Sequence, residues 1–178
     1  MKKIFIGLIL ILLNFNLDFG DSRLGLIPSF IGYYYVKNGL VEIGEYSDKF
    51  TAVLPYTKFM VVYSSIAYFM DLFGISSQLD ILVSILLGVV SVTIFLLITY
   101  NIIMGVQEIE KKQEQELNSV SLLSLWKVIA VCSVLVYVLY FLPMLMVICI
   151  AVAFVANIGF LFAFSKTNRL FYEQNSTV

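Results

Sequence analysis

The stretch VIAVCSVLVYVLYFLPMLMVICIAVAFVANIGFLFAFS, residues 128–165, contains no charged side chain. A bilayer's hydrocarbon core is about 30 Å thick and is crossed by roughly 20 apolar residues, each rising about 1.5 Å. One helix over 128–165 would run for more than about 50 Å, too long for a single crossing, so the chain must turn inside it. Pro143 is the residue near its middle whose ring cannot continue a helix without a kink. A tight turn at Phe141–Met144 divides the stretch into crossings near 122–142 and 144–165.

Outward from this pair, Ile81–Val106 is free of charge, and Leu54–Phe73 has none between Lys58 and Asp71. Composition extends the reading to the whole chain, which is 61% hydrophobic and 13% charged with a mean hydropathy of +0.97. Soluble domains are about 45–50% apolar and about 25% charged, so a water-soluble globular domain is excluded. A disordered chain, which needs low hydrophobicity and high charge, is excluded as well. A formal net charge of −1 offers no basic excess for nucleic acid. The expected partners are the lipid bilayer and either another membrane protein or a second copy in a homo-oligomer.

The N-terminal third is less regular. Met1-Lys2-Lys3 followed by Ile4–Leu13 has the charged start and apolar run of a signal peptide. The next residues, Asn14 to Asp18, supply no small-x-small cleavage site, which favours a retained helix. A second apolar run, Leu24–Val36, follows the polar connection Asp18–Arg23. Both runs are short for a crossing, so residues 3–47 form either two thin spans or a re-entrant hairpin. The expected fold class is all-α: a polytopic transmembrane helix bundle with four spans over about 52–165 and an N-terminal helical hairpin, six crossings in total. The chain reads as a single membrane domain ending in a short tail, 166–178.

Charge placement orients it. The loops Lys37–Lys49 and Lys111–Lys112 and the tail with Lys166 and Arg169 carry positive charge, whereas the Asp71–Asp80 connection and the Pro143 turn carry no Lys or Arg. By the positive-inside rule the basic group is cytoplasmic. Six crossings leave only Arg23 of the 11 Lys and Arg outside and put both termini inside. Ser77-Gln-Leu-Asp80 reads as a capping box for the helix over 81–106, and Pro55 suits a first helical turn. Glu108–Glu116 extends that helix beyond the membrane as a solvated face, with Glu108 and Lys112 spaced i,i+4.

Polar groups inside a membrane are the first functional suspects, since burying them costs several kcal/mol unless they find partners. Asn14, Asp18 and Asp21, spaced i, i+4, i+7, share one face if the first helix continues through them, with Asn16 nearby. Such a face is either a cation or polar-solute site at the outer mouth or a polar helix end in the interface. Asn157, flanked by Ala156, Gly159 and Ala163, reads as an amide bonding across a close helix contact. Gly25, Gly32 and Gly39 recur every seven residues, drifting about 20° per step on a helix, and form a bare stripe. Together with Ser84 and Gly88 they make helix-packing or partner-binding faces. Cys132 and Cys149 lie at depths roughly 7–8 Å apart across the Pro143 turn, too far for a disulfide. Histidine is absent, which removes histidine general bases, triads and metal sites. No catalytic residue, metal or cofactor is expected.

Phe15-Asn-Leu-Asp-Phe-Gly20, then Leu26-Ile-Pro-Ser-Phe-Ile-Gly-Tyr-Tyr34 and Asn38-Gly-Leu40 resemble an uncharacterised family of small multi-spanning membrane proteins of low-GC Gram-positive bacteria. Members carry Pro-Asp-Phe-Ile-Gly-Tyr where this chain has Pro28-Ser29-Phe30-Ile31-Gly32-Tyr33. The likeness covers the first 75 residues, more loosely from Glu45 onward. It implies a bacterial cytoplasmic membrane location and brings no catalytic residues. Two functions follow from the whole reading. One is a non-enzymatic accessory or assembly module that binds other membrane proteins. The other is an oligomeric small transporter or channel with the Asn14/Asp18/Asp21 face at its outer mouth.

Overall fold

A computed structural model describes residues 1–12, 16–19, 22–25, 28–114, 116–139 and 142–175, with the side chains of 16–19, 22–25, 77 and 174–175 left aside. Helix α1 (Lys2–Leu12) leads into an antiparallel hairpin of β1 (Asn16–Phe19) and β2 (Ser22–Gly25), then α2 (Ser29–Glu42). A 3-10 turn and the short α3 (Asp48–Ala52) precede α4 (Leu54–Leu72), α5 (Ile81–Gln113), α6 (Ser119–Val138) and α7 (Pro143–Asn175). Contacts between helices run in the order α1–α2–α4–α5–α6–α7 and return from α7 to α1, closing a six-helix ring.

Among the described residues three helices are long and apolar enough, by length and composition, to cross a membrane: α5, α6 and α7. The expected crossing over 54–73 is a helix of 19 residues, but Lys58, Asp71 and its serines and tyrosines hold its hydropathy below theirs. Helices α1 and α2, at 11 and 14 residues, reach only about 16 and 21 Å at 1.5 Å per residue. They form the expected N-terminal helical pair, joined by a strand hairpin that the hydropathy pattern did not disclose.

Local chemistry sets the helix ends. Pro143 opens α7, where its missing N–H costs nothing because the first helical donors have no intrahelical acceptor. The start of α5 falls on Asp80, three residues after the Ser77 expected to open a capping box. Asp80 itself caps α5, accepting from the Leu82 N–H at 2.8 Å, and Ser76–Gln78 form a 3-10 turn. Helix α7 continues ten residues past Ser165, so most of the expected tail is helical, with Thr167 and Phe171 buried.

One end of the ring gathers the basic loops. Lys3 pairs with Glu42, the Lys2 ammonium sits 5.0 Å over the Tyr172 ring, and Tyr46 packs edge-on against Phe171. Glu108 accepts from the Ser47 hydroxyl at 2.5 Å instead of serving a solvated face with Lys112. The Lys3–Glu42 pair is about half-exposed on each side (46% and 47%), so it marks the antiparallel register of α1 and α2 and contributes under about 1 kcal/mol. The Thr167 hydroxyl, fully buried, donates to the Leu117 carbonyl at 2.7 Å and ties α7 to the start of α6. Thr167→Val leaves that buried carbonyl without its donor. A loss of about 1–2 kcal/mol is expected, read as a lower denaturation midpoint in a detergent unfolding titration.

Packing is concentrated toward this basic end. On α5, Ile98, Ile102, Ile103, Val106 and Ile109 are buried, and the Phe50 ring of α3 lies against Gly105. Toward the other end the helices open apart, and no residue of α5 between Ile81 and Leu97 is buried.

Candidate functional site

The structure separates the residues that the sequence grouped. Helix α1 ends at Leu12 and Asn16–Phe19 is a strand, so the shared helical face of Asn14, Asp18 and Asp21 does not form. Asn16 and Asp18 lie on β1, paired in register with Gly25 and Arg23, while Asn14 and Asp21 fall outside the described residues. Gly25 is therefore a strand residue and no part of a helical stripe. Gly32 and Gly39 do share a face of α2, and that face is occupied by α1. A methyl group on Gly32 would stand 2.9 Å from the Gly7 carbonyl oxygen, and one on Gly39 2.7 Å from the Ile4 nitrogen.

The remaining small residues are spread along the ring. Ser84 is exposed on the open half of α5, its hydroxyl returned to the Asp80 carbonyl. Gly88 faces the Tyr137 hydroxyl of α6, and Gly159 faces Leu125. Asn157 departs from expectation: its Oδ1 is buried with no hydrogen-bond partner among the described residues. Both cysteines are free thiols. No cluster of three or more metal-ligating side chains occurs among the described residues.

What the fold brings together instead is a polar cavity of about 330 Å³ between α1, α2, α4 and α5, on the half away from the basic end. Helix α4 supplies one wall. Met60, Ser64, Ala67 and Asp71 recur at i, i+4, i+7, i+11 and so line one face. Ser64 and Ala67 are small and leave the volume that larger side chains would fill. Tyr63 and Tyr68 flank them, Ser29 and Tyr33 come from α2, and Ser91 and Phe95 come from α5.

Hydrogen bonding gives this wall its character. The Tyr63 hydroxyl donates to the Leu87 carbonyl at 2.9 Å and bridges α4 to α5 where those helices otherwise stand apart. Ser64 donates back to the Met60 carbonyl of its own helix. Tyr33, 4% exposed, is almost wholly buried in this wall. Asp71 lies near the rim, one residue from the end of α4, with no ion pair among the described residues. No Lys or Arg lines the cavity among the described residues.

One turn further toward the basic end, α1, α2 and α5 present Leu8, Val36, Leu40, Ile98 and Ile102, each at most 1% exposed. Thr57 at this level spends its hydroxyl on the Val53 carbonyl. The cavity therefore has a dry floor. Most of its lining was not singled out from sequence, although one signal was present: four of the polar residues that make α4 less hydropathic than its neighbours, Tyr63, Ser64, Tyr68 and Asp71, line the cavity. Compared with family models, with curated proteins and with solved structures, the chain matches none of them.

Proposed function

We propose that this chain is a non-enzymatic accessory module of the bacterial cytoplasmic membrane that holds a group of another membrane component in its outer cavity. The carrying observation is a cavity lined by tyrosine and serine side chains, with the Asp71 carboxylate, free of ion pairs among the described residues, near its rim and a dry floor beneath. Such a site binds from one side. Transport is the second reading, and it asks for a polar route past Leu8, Val36, Leu40, Ile98 and Ile102, which pack the middle of the ring.

The topology proposed with it has six crossings, the basic end in the cytoplasm and the cavity facing outward. Two observations support this. Lys2, Lys3, Lys112 and the helix end bearing Tyr172 meet at one end of the ring. The β1–β2 hairpin belongs to the other end, and its outer edges carry backbone groups that need water.

Native mass spectrometry of protein released from its own membranes tests the reading. Wild type is expected to carry a small-molecule or lipid adduct that Ala67→Phe, which fills the cavity, loses. Equal adducts in both proteins would overturn it. Solute flux in proteoliposomes that Ala67→Phe abolishes would establish transport in its place.

A further inference from the structure

Resting on the cavity's being a binding site, we infer that its ligand presents an ammonium group, a primary or methylated amine carried by a lipid headgroup or by a free small molecule. Charge is the first argument. Among the described lining residues Asp71 is the only charged side chain, so an anion would meet a carboxylate and none of these residues would offset it.

The second argument is hydrogen-bond polarity. The Tyr63 hydroxyl has given its proton to Leu87 and the Ser64 hydroxyl has given its proton to Met60. What those oxygens still offer the cavity is lone pairs, and the Asp71 carboxylate only accepts. An ammonium group has donors and no acceptor, so it complements such a wall.

The third argument is aromatic. Tyr33, Tyr63 and Tyr68 line the same space from two helices, and ring faces attract cations within about 6 Å of the centroid, most strongly where water is excluded. A T-shaped contact with Phe30, 5.8 Å between centroids, fixes the Tyr68 ring. The volume, about 330 Å³, holds on the order of ten water molecules at ~30 Å³ each. That is room for a headgroup-sized amine and too little for a folded peptide.

The test uses the full chain in nanodiscs of equimolar phosphatidylethanolamine and phosphatidylglycerol, with retained lipid counted by native mass spectrometry. A second arm titrates free ethanolamine calorimetrically into protein in phosphatidylglycerol alone. Retention of phosphatidylethanolamine over phosphatidylglycerol identifies a lipid source, and ethanolamine binding in the second arm identifies a free amine. In whichever arm responds, Asp71→Asn is expected to weaken binding at least tenfold and Asp71→Glu to restore most of it. Tetramethylammonium chloride is expected to displace the ligand from wild type where sodium chloride of equal ionic strength does not. Neither arm responding, or a response that Asp71→Asn and tetramethylammonium leave unchanged, overturns the ammonium assignment. If Ala67→Phe removes binding that Asp71→Asn spares, the cavity reading stands and the ammonium reading falls. Amine binding that survives Ala67→Phe overturns both.

Discussion

Gly7→Ala is expected to destabilise the protein by about 3 kcal/mol, the upper part of the range for forcing extra volume into a packed interior. The added methyl group would lie 2.5 Å from the Gly32 carbonyl oxygen, 2.6 Å from Val36 Cγ2 and 2.8 Å from the Val36 nitrogen. Two of these three atoms are backbone, so no rotamer change relieves the clash and α1 must move off α2. The usual gain of up to about 1 kcal/mol for replacing glycine by alanine within a helix only partly offsets this. Gly159→Ala is the control. Its methyl group would meet only the ends of the Leu125 side chain, at 3.3 and 3.7 Å, so its stability should stay within about 0.5 kcal/mol of wild type or rise. Detergent unfolding titrations give both values. Disulfide formation between cysteines placed at Lys3 and Glu42, whose side chains meet in the wild type, reports whether the two helices have separated. An unfolding midpoint and a cross-linking rate both unchanged in Gly7→Ala would refute this account of the α1–α2 contact.

The same contact marks what sequence can disclose. Gly32 and Gly39 were legible as a face because seven residues are nearly two helical turns, and the face exists. Its partner was not legible. A bare stripe serves equally well for packing inside the chain or against another protein, and Gly7 belongs to a run that also resembles a signal peptide. Helices α5, α6 and α7 were readable from absence of charge, since few side chains other than apolar ones tolerate hydrocarbon on every side. The Pro143 turn was readable because proline has one tolerated place in a helix, its start.

The cavity was legible only in pieces. Its polar lining is drawn from α2, α4 and α5, and within any one of them a serine or tyrosine is an ordinary interruption of an apolar run. The Asn14/Asp18/Asp21 grouping failed for a converse reason. Periodicity joins residues only while the helix lasts, and α1 stops at Leu12. Hydropathy favours a buried segment and does not say which backbone conformation it takes, so the strand hairpin at 16–25 left no trace in it.

The second large effect is expected at Glu110, which the sequence presented as one charge among several on a solvated helix. Its carboxylate accepts from the Leu117 N–H at 2.6 Å and the Ser119 N–H at 3.0 Å, and also takes the Ser119 hydroxyl. Helix α6 begins just there without help from its own cap. Asn118 sits in the left-handed region, φ 69°, and caps no backbone N–H with its side chain. A carboxylate from α5 thus does the work of an N-cap and places negative charge at the positive end of a helix. Leu117 and Ser119 are at most 1% exposed, so water cannot take over when the acceptor is lost. Glu110→Ala should therefore cost about 2–4 kcal/mol, more than truncating an ordinary exposed cap. Glu110→Gln keeps one accepting oxygen and loses the charge, and about half that cost is expected. Detergent unfolding titrations measure the difference, and hydrogen exchange at the amides of residues 117–120 should quicken in the order wild type, Glu110→Gln, Glu110→Ala. If Glu110→Ala exchanges no faster than wild type there, the carboxylate is not the cap. The cavity lies at the opposite end of the ring, so any lipid or amine binding that wild type shows should be unchanged in the folded fraction of Glu110→Ala.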